Sequence, residues 1–179
     1  MATAEPWQKA EIAGPTKALV ITKPEVVVAM IKKAQRPILI VGHEATDPEE
    51  KQMLDIAIRL AKIGKIPLVA TAHIVGEFLR KGFQPAAFMP AVDIANRLTD
   101  SEWKGLDGNG QYDLAMLMGI TYYMEWVIFS ALKHYSNGLK TISLDRYYHP
   151  HASWSFPNLS VETWSQNLEM IISKLEGGE

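Results

Sequence analysis

The run Ile38-Leu39-Ile40-Val41 constrains the fold more than any other part of the chain. It is too short for a helix, rich in β-branched residues, and apolar without alternation. Those traits describe a strand buried on both faces of a parallel sheet. Gly42 ends the run. Asp47, Pro48 and Glu50 then supply an N-cap, a first-turn proline and the closing member of a capping box, so a helix is expected from Pro48 to Ile63. A strand, a glycine-containing loop and a helix start form the first half of a nucleotide-type α/β unit. In open sheets of that type, ligands lie at the carboxyl ends of the strands.

The stretch Asp113-Leu114-Ala115-Met116-Leu117-Met118-Gly119-Ile120-Thr121 repeats this order, with Thr121 at the cap position of a helix from Tyr122 to Tyr135. Further strands are expected at 18–21, 66–70 and 139–144. Further helices are expected at 22–35, 72–80, 90–98 and 161–175, the last capped by Ser160. Alternation of this kind implies an α/β fold with a mostly parallel sheet covered on both faces, its two halves meeting at a switch point. Residues 1–17 lack apolar periodicity and carry Pro6, Gly14 and Pro15, so they read as an arm whose one large apolar group is Trp7. Residues 18–179 read as a single domain.

Composition narrows the function. Apolar residues make up 47% and charged residues 21% of the chain, and the formal charge is -2, values ordinary for a globular protein. No basic stripe points to nucleic acid, and no apolar stretch reaches membrane-spanning length. Met1 to Trp7 has neither a basic region nor an apolar core, so no secretory signal is expected and the location is read as cytoplasmic. The chain has no cysteine, which removes disulfides, thiolate catalysis and cysteine-ligated iron–sulfur clusters from within it.

Several segments invite a chemical reading. Gly42, His43 and Glu44, with Gly119 and Thr121 from the second unit, form a candidate crevice. Glycine permits close backbone approach there, and helix starts favour an anion. The same loops can equally be structural turns, and Gly42 is not part of a Gly-x-Gly-x-x-Gly fingerprint. His43 and Glu44 could act as acid and base, although adjacent residues need not converge on one substrate. His149 and His151 could chelate a metal, but Pro150 interrupts strand geometry and no third ligand is evident nearby, so no metal site and no catalytic residue is assigned. The helix at 122–135 carries large apolar groups on every side and must be covered on more than one side. Either the sheet and a second chain share that task, or the helix is buried within its own domain. Trp7, Trp126, Phe129 and Trp154 are the candidate partner contacts, because aromatic anchors are favoured at interfaces.

Met30-Ile-Lys-Lys-Ala-Gln-Arg-Pro-Ile-Leu-Ile-Val-Gly-His-Glu-Ala45, together with Ile21-Thr-Lys-Pro-Glu25, Gly14-Pro15 and Ser155-Phe-Pro-Asn-Leu-Ser160, resembles the epsilon subunit of the archaeal acetyl-CoA decarbonylase/synthase complex over nearly the whole chain. Ala34 to Gly42 is also similar to the entry strand of the central domain of thiamine-diphosphate enzymes. The resemblance implies a Rossmann-like three-layer fold of the DHS-like NAD/FAD-binding type, with a sheet of about six strands. It further implies a non-catalytic accessory chain that binds and stabilises the large nickel–iron–sulfur alpha subunit of the carbon monoxide dehydrogenase component. Two alpha and two epsilon chains would form that assembly, with the clusters held by the partner. The alternative it leaves open is an FAD- or NAD-binding electron-transfer module of the same complex.

Overall fold

A computed structural model describes residues 14, 16–47 and 52–177. Seven strands form one sheet, β1 (Leu19–Val20), β2 (Pro37–Val41), β3 (Leu68–Ala70), β4 (Ala87–Phe88), β5 (Leu114–Met118), β6 (Lys140–Ser143) and β7 (Trp154–Ser155), in the order β1-β7-β6-β5-β2-β3-β4. Every neighbouring pair is parallel. The expected α/β architecture is therefore present, with one strand more than the resemblance implies. The strands that periodicity misses are β4 and β7, each two residues long, too short to show any pattern.

Among the described residues six α-helices cover the sheet: α1 (Glu25–Lys33), α2 (Met53–Ile63), α3 (Val75–Arg80), α4 (Ala91–Thr99), α5 (Tyr122–Tyr135) and α6 (Val161–Glu176). Along β2, Leu39 and Val41 face the core under α1, α2 and α6, while Ile38 and Ile40 face the core under α4 and α5. Burial on both faces is thus the reason the run is apolar without alternation. Each such side chain contributes about 1.5–3 kcal/mol of burial free energy.

Boundaries shift where caps differ from expectation. Pro24, not Thr22, precedes the first turn of α1, and no side chain caps it. Asp47 closes a 3-10 turn over His43–Thr46 and donates its N–H to the Glu44 carbonyl. The described part of the following helix starts at Met53, and Pro48 and Glu50 lie outside the described residues. Ser160 caps α6 as expected, its hydroxyl accepting from Thr163 N–H at 3.2 Å. Among the described residues no helix is long and apolar enough to cross a membrane.

The sheet reverses its order between β2 and β5. From β2 the chain builds outward through β3 to β4, then returns to the other side of β2 and builds through β5 and β6 to β7, with β1 beyond it. The carboxyl ends of β2 and β5 form the switch point, and Gly42 and Gly119 stand on it.

Candidate functional site

The two glycine loops pack directly on each other. Gly42 N–H donates to the Met118 carbonyl at 2.8 Å, and Glu44 N–H to the Gly119 carbonyl at 2.9 Å. A Cβ on Gly42 would lie 2.3 Å from the Gly119 carbonyl oxygen, and one on Gly119 would lie 2.7 Å from the Ala45 amide. Gly119 also holds a positive φ of 68°, which disfavours any other residue. Both glycines are accounted for by close loop-to-loop contact. The amides of Gly42, Glu44 and Gly119 all have partners within the chain, Gly119 N–H donating to Asp145 Oδ1 at 2.8 Å.

Beside this junction lies an open crevice of about 290 Å³, lined by Gly42, His43, Thr71, His73, Pro90, Ala91, Val92, Ile120, Thr121 and Met124. Of the five crevice residues expected from sequence, the structure brings Gly42, His43 and Thr121 to its wall. Gly119 and Glu44 are not among the lining residues. Thr121 occupies the N-cap position of α5 and its carbonyl accepts from Glu125 N–H, but its hydroxyl makes no capping bond.

Behind the switch point the structure assembles a group that sequence reasoning missed. Glu125, in the first turn of α5, is fully buried, as are His149 and Asp145 to within a few percent. Their ligand-type atoms lie within 4.8 Å of one another, and His149 Nε2 stands 3.5 Å from Glu125 Oε2. Asp145 stands two residues beyond the end of β6, at the carboxyl edge where open sheets present ligand groups. His149 comes from the same loop, four residues on, stacked on Tyr122 with ring centroids 4.4 Å apart. Neither Glu125 oxygen makes a hydrogen bond, and the buried Ser143 hydroxyl at the end of β6 has no partner either. Burial, then the nearby Asp145 carboxylate, pushes the Glu125 carboxyl well above its usual range. Burial lowers His149 to about 3. The carboxylates that join His149 come from Asp145, four residues before it, and from Glu125 on α5, and the histidine pair itself is divided. His151 turns away to meet the edge of Trp126, with centroids 4.7 Å apart.

The four aromatic partner candidates have different surroundings. Phe129 is fully buried against the sheet and has no exposed surface through which to meet another chain. Trp126 is half-buried against His151. Trp154 is a strand residue of β7, half-buried and lining a second cavity with Met30, Leu114 and Lys140 at the opposite end of the sheet. Trp7 lies outside the described residues. The outer face of α5 instead presents Tyr123, Met124, Val127 and Tyr135, which are 73%, 40%, 54% and 75% exposed.

The model of the CO dehydrogenase beta subunit/acetyl-CoA synthase epsilon subunit family matches residues 1–172. The chain is 34% identical to the acetyl-CoA decarbonylase/synthase complex subunit epsilon of Methanothermobacter thermautotrophicus over 169 residues, covering 94% of this chain and 95% of that one. It is 40% identical to the epsilon subunit of Methanothrix soehngenii, covering 87% and 81%. It is 37% identical to epsilon subunit 1 of Methanosarcina barkeri, covering 85% and 86%. With the fold, these matches show that the chain belongs to the CO dehydrogenase beta subunit/acetyl-CoA synthase epsilon subunit family, as a non-catalytic accessory subunit.

Proposed function

We propose that this chain binds and steadies the large nickel–iron–sulfur alpha subunit of the carbon monoxide dehydrogenase component, two chains of each kind forming the assembly. The observation that carries this reading is the polarity of α5. Its one carboxylate, Glu125, faces inward, and its exposed residues are Tyr123, Met124, Val127, His134 and Tyr135, with no lysine, arginine or carboxylate among them. A surface helix ordinarily places its charges outward. An uncharged aromatic face of this kind is what a permanent protein contact uses.

Co-expression of the chain with the large subunit tests the reading. Val127→Asp and Tyr123→Ala are expected to lower recovery of the complex at least tenfold. Leu79→Asp, at a similarly exposed apolar position on α3, is expected to leave recovery unchanged. Equal recovery with all three variants would remove α5 from the interface.

The crevice at the switch point supports a second reading, an FAD- or NAD-binding part in electron transfer. Its volume falls at the lower end of the roughly 300–1,000 Å³ typical of small-molecule sites, and the loop amides a pyrophosphate would need are already bonded. The absorption spectrum of the complex and a titration with FAD decide it. Flavin bands or saturable binding would favour this reading over a purely structural role for the crevice.

A further inference from the structure

We propose that Glu125, Asp145 and His149 form a buried divalent-cation site, of the kind that takes zinc, which ties the first turn of α5 to the carboxyl edge of the sheet. The first turn of α5 and the loop that follows β6 deliver two carboxylates and one imidazole to one point, their ligand atoms within 4.8 Å of each other. A tetrahedral ion with ligands about 2.0–2.2 Å away holds those ligands about 3.4 Å from one another. The separation of His149 Nε2 and Glu125 Oε2 is 3.5 Å.

The unpartnered atoms point the same way. Neither Glu125 oxygen makes a hydrogen bond, and neither does the fully buried Ser143 hydroxyl. A buried carboxylate without a partner is costly, and native interiors rarely keep one. One shared proton would satisfy a single pair of oxygens. A divalent ion would neutralise both carboxylates together, take the imidazole as a third ligand and leave a position for Ser143 or a water. The donor set of oxygen and imidazole nitrogen suits zinc and manganese, and a dry interior suits magnesium poorly because that ion retains its waters.

The site also has a mechanical connection. Asp145 Oδ1 accepts from Gly119 N–H, so an ion on Asp145 would be coupled to the loop at the switch point. Tyr123, Met124 and Val127 lie on the same first turns of α5 as Glu125. A fixed ion there would hold the exposed face of the helix in one position.

The test uses the full chain, unfolded in chelator, refolded with zinc, manganese or magnesium chloride, and desalted. Metal content is then measured by mass spectrometry and thermal unfolding is recorded. About one zinc per chain is expected, with a Tm above that of the metal-free protein, and no retained magnesium. Glu125→Gln keeps the shape and removes the charge. It is expected to lose the zinc and the metal-dependent rise in Tm, while its metal-free form melts no lower than metal-free wild type. His149→Gln is the second variant, with the same loss of zinc expected if Glu125→Gln does not fold. Two results would overturn the proposal. One is a wild-type chain that retains no metal, with Glu125→Gln more stable under every condition, as a shared proton would give. The other is zinc that binds equally to wild type and both variants, which would place it at surface histidines.

Discussion

Alanine replacements at three glycines separate close packing from backbone strain at the switch point. Gly138 has a φ of 77° and open space around it, so Gly138→Ala meets only the conformational penalty. That costs about 1–2 kcal/mol. Gly42 has a φ of -99°, which any residue adopts, but its Cβ would lie 2.3 Å from the Gly119 carbonyl oxygen and 2.7 Å from the Ile120 Cα. Those neighbours are backbone and cannot swing aside, so Gly42→Ala carries an overpacking cost of about 2–3 kcal/mol. Gly119→Ala meets both effects, through its φ of 68° and contacts of 2.7 Å to the Ala45 amide and 2.8 Å to Met53 Sδ. Roughly 3–5 kcal/mol is expected there. For a chain of this length each kcal/mol lowers Tm by about 2–4 °C, so the losses become about 5 °C for Gly138→Ala and about 10–15 °C for Gly119→Ala. The double variant of Gly42 and Gly119 is expected to lose less than the sum, because the two loops touch and one displacement relieves both contacts. Urea unfolding followed by circular dichroism gives the free energies, and calorimetry gives Tm. If Gly42→Ala proves milder than Gly138→Ala, the loops part in solution, and the glycines would then be free to approach a phosphate.

Two further outcomes follow from buried polar groups. The Tyr148 hydroxyl is buried, donates to the Ala18 carbonyl at 2.7 Å, and is pushed up to about 12 by burial. Its contribution to stability is complete below the unfolded value of 10 and is lost as pH rises through the folded value. Tyr148→Phe should therefore cost about 1 kcal/mol near pH 8, and its deficit in urea unfolding should shrink steadily between pH 10 and 12, whereas a constant deficit would refute the assignment. Trp164 is buried and its indole N–H donates to the Leu144 carbonyl at 2.7 Å. Trp164→Phe should lose about 2–4 kcal/mol through the orphaned carbonyl and the lost ring, and a loss below 1 kcal/mol would show that water replaces the bond.

Much of the frame was legible because β2 and β5 are buried on both faces and so lie in uninterrupted apolar runs. Their glycines and the start of α5 at Tyr122 were legible for the same reason, since a strand that ends abruptly exposes its loop. The short strands Ala87–Phe88 and Trp154–Ser155 were not, because two residues carry no period and only pairing, with β3 for the first and with β1 and β6 for the second, makes them strands. Trp154 reads as a loose aromatic in sequence, yet the register that sets Ile142 opposite it fixes it in the sheet. The role of Gly42 was legible only in part. Its small size was evident, but the neighbour requiring that size is Gly119, and contacts of that range follow from topology alone.

The buried cluster was hidden by the rule that found the helices. In α5 the inward positions are Glu125, Ile128, Phe129 and Leu132, an i, i+3, i+4, i+7 set that is regular once a glutamate is allowed inside. Without Glu125 the stripe is broken, and the helix then reads as apolar on every side, with Phe129 among the candidate partner contacts. Structure assigns Phe129 to the sheet and leaves Tyr123, Val127 and Tyr135 outside. The two anomalies of the helix have a common physical origin. Its carboxylate is buried beside Asp145 and His149, where only a cation would balance it, and its outer face lacks the charges that would make water its natural neighbour. A helix selected only to cover a sheet would place Glu125 at the Val127 position and an aliphatic residue at 125, gaining stability at both. That it does the opposite agrees with the two proposed occupants, a cation on the inner face and a subunit on the outer. Exchanging the two residues, Glu125→Val with Val127→Glu, should then raise the Tm of the isolated chain while abolishing recovery of the complex. A swapped chain that still assembled would break the link between the inverted helix and its partner.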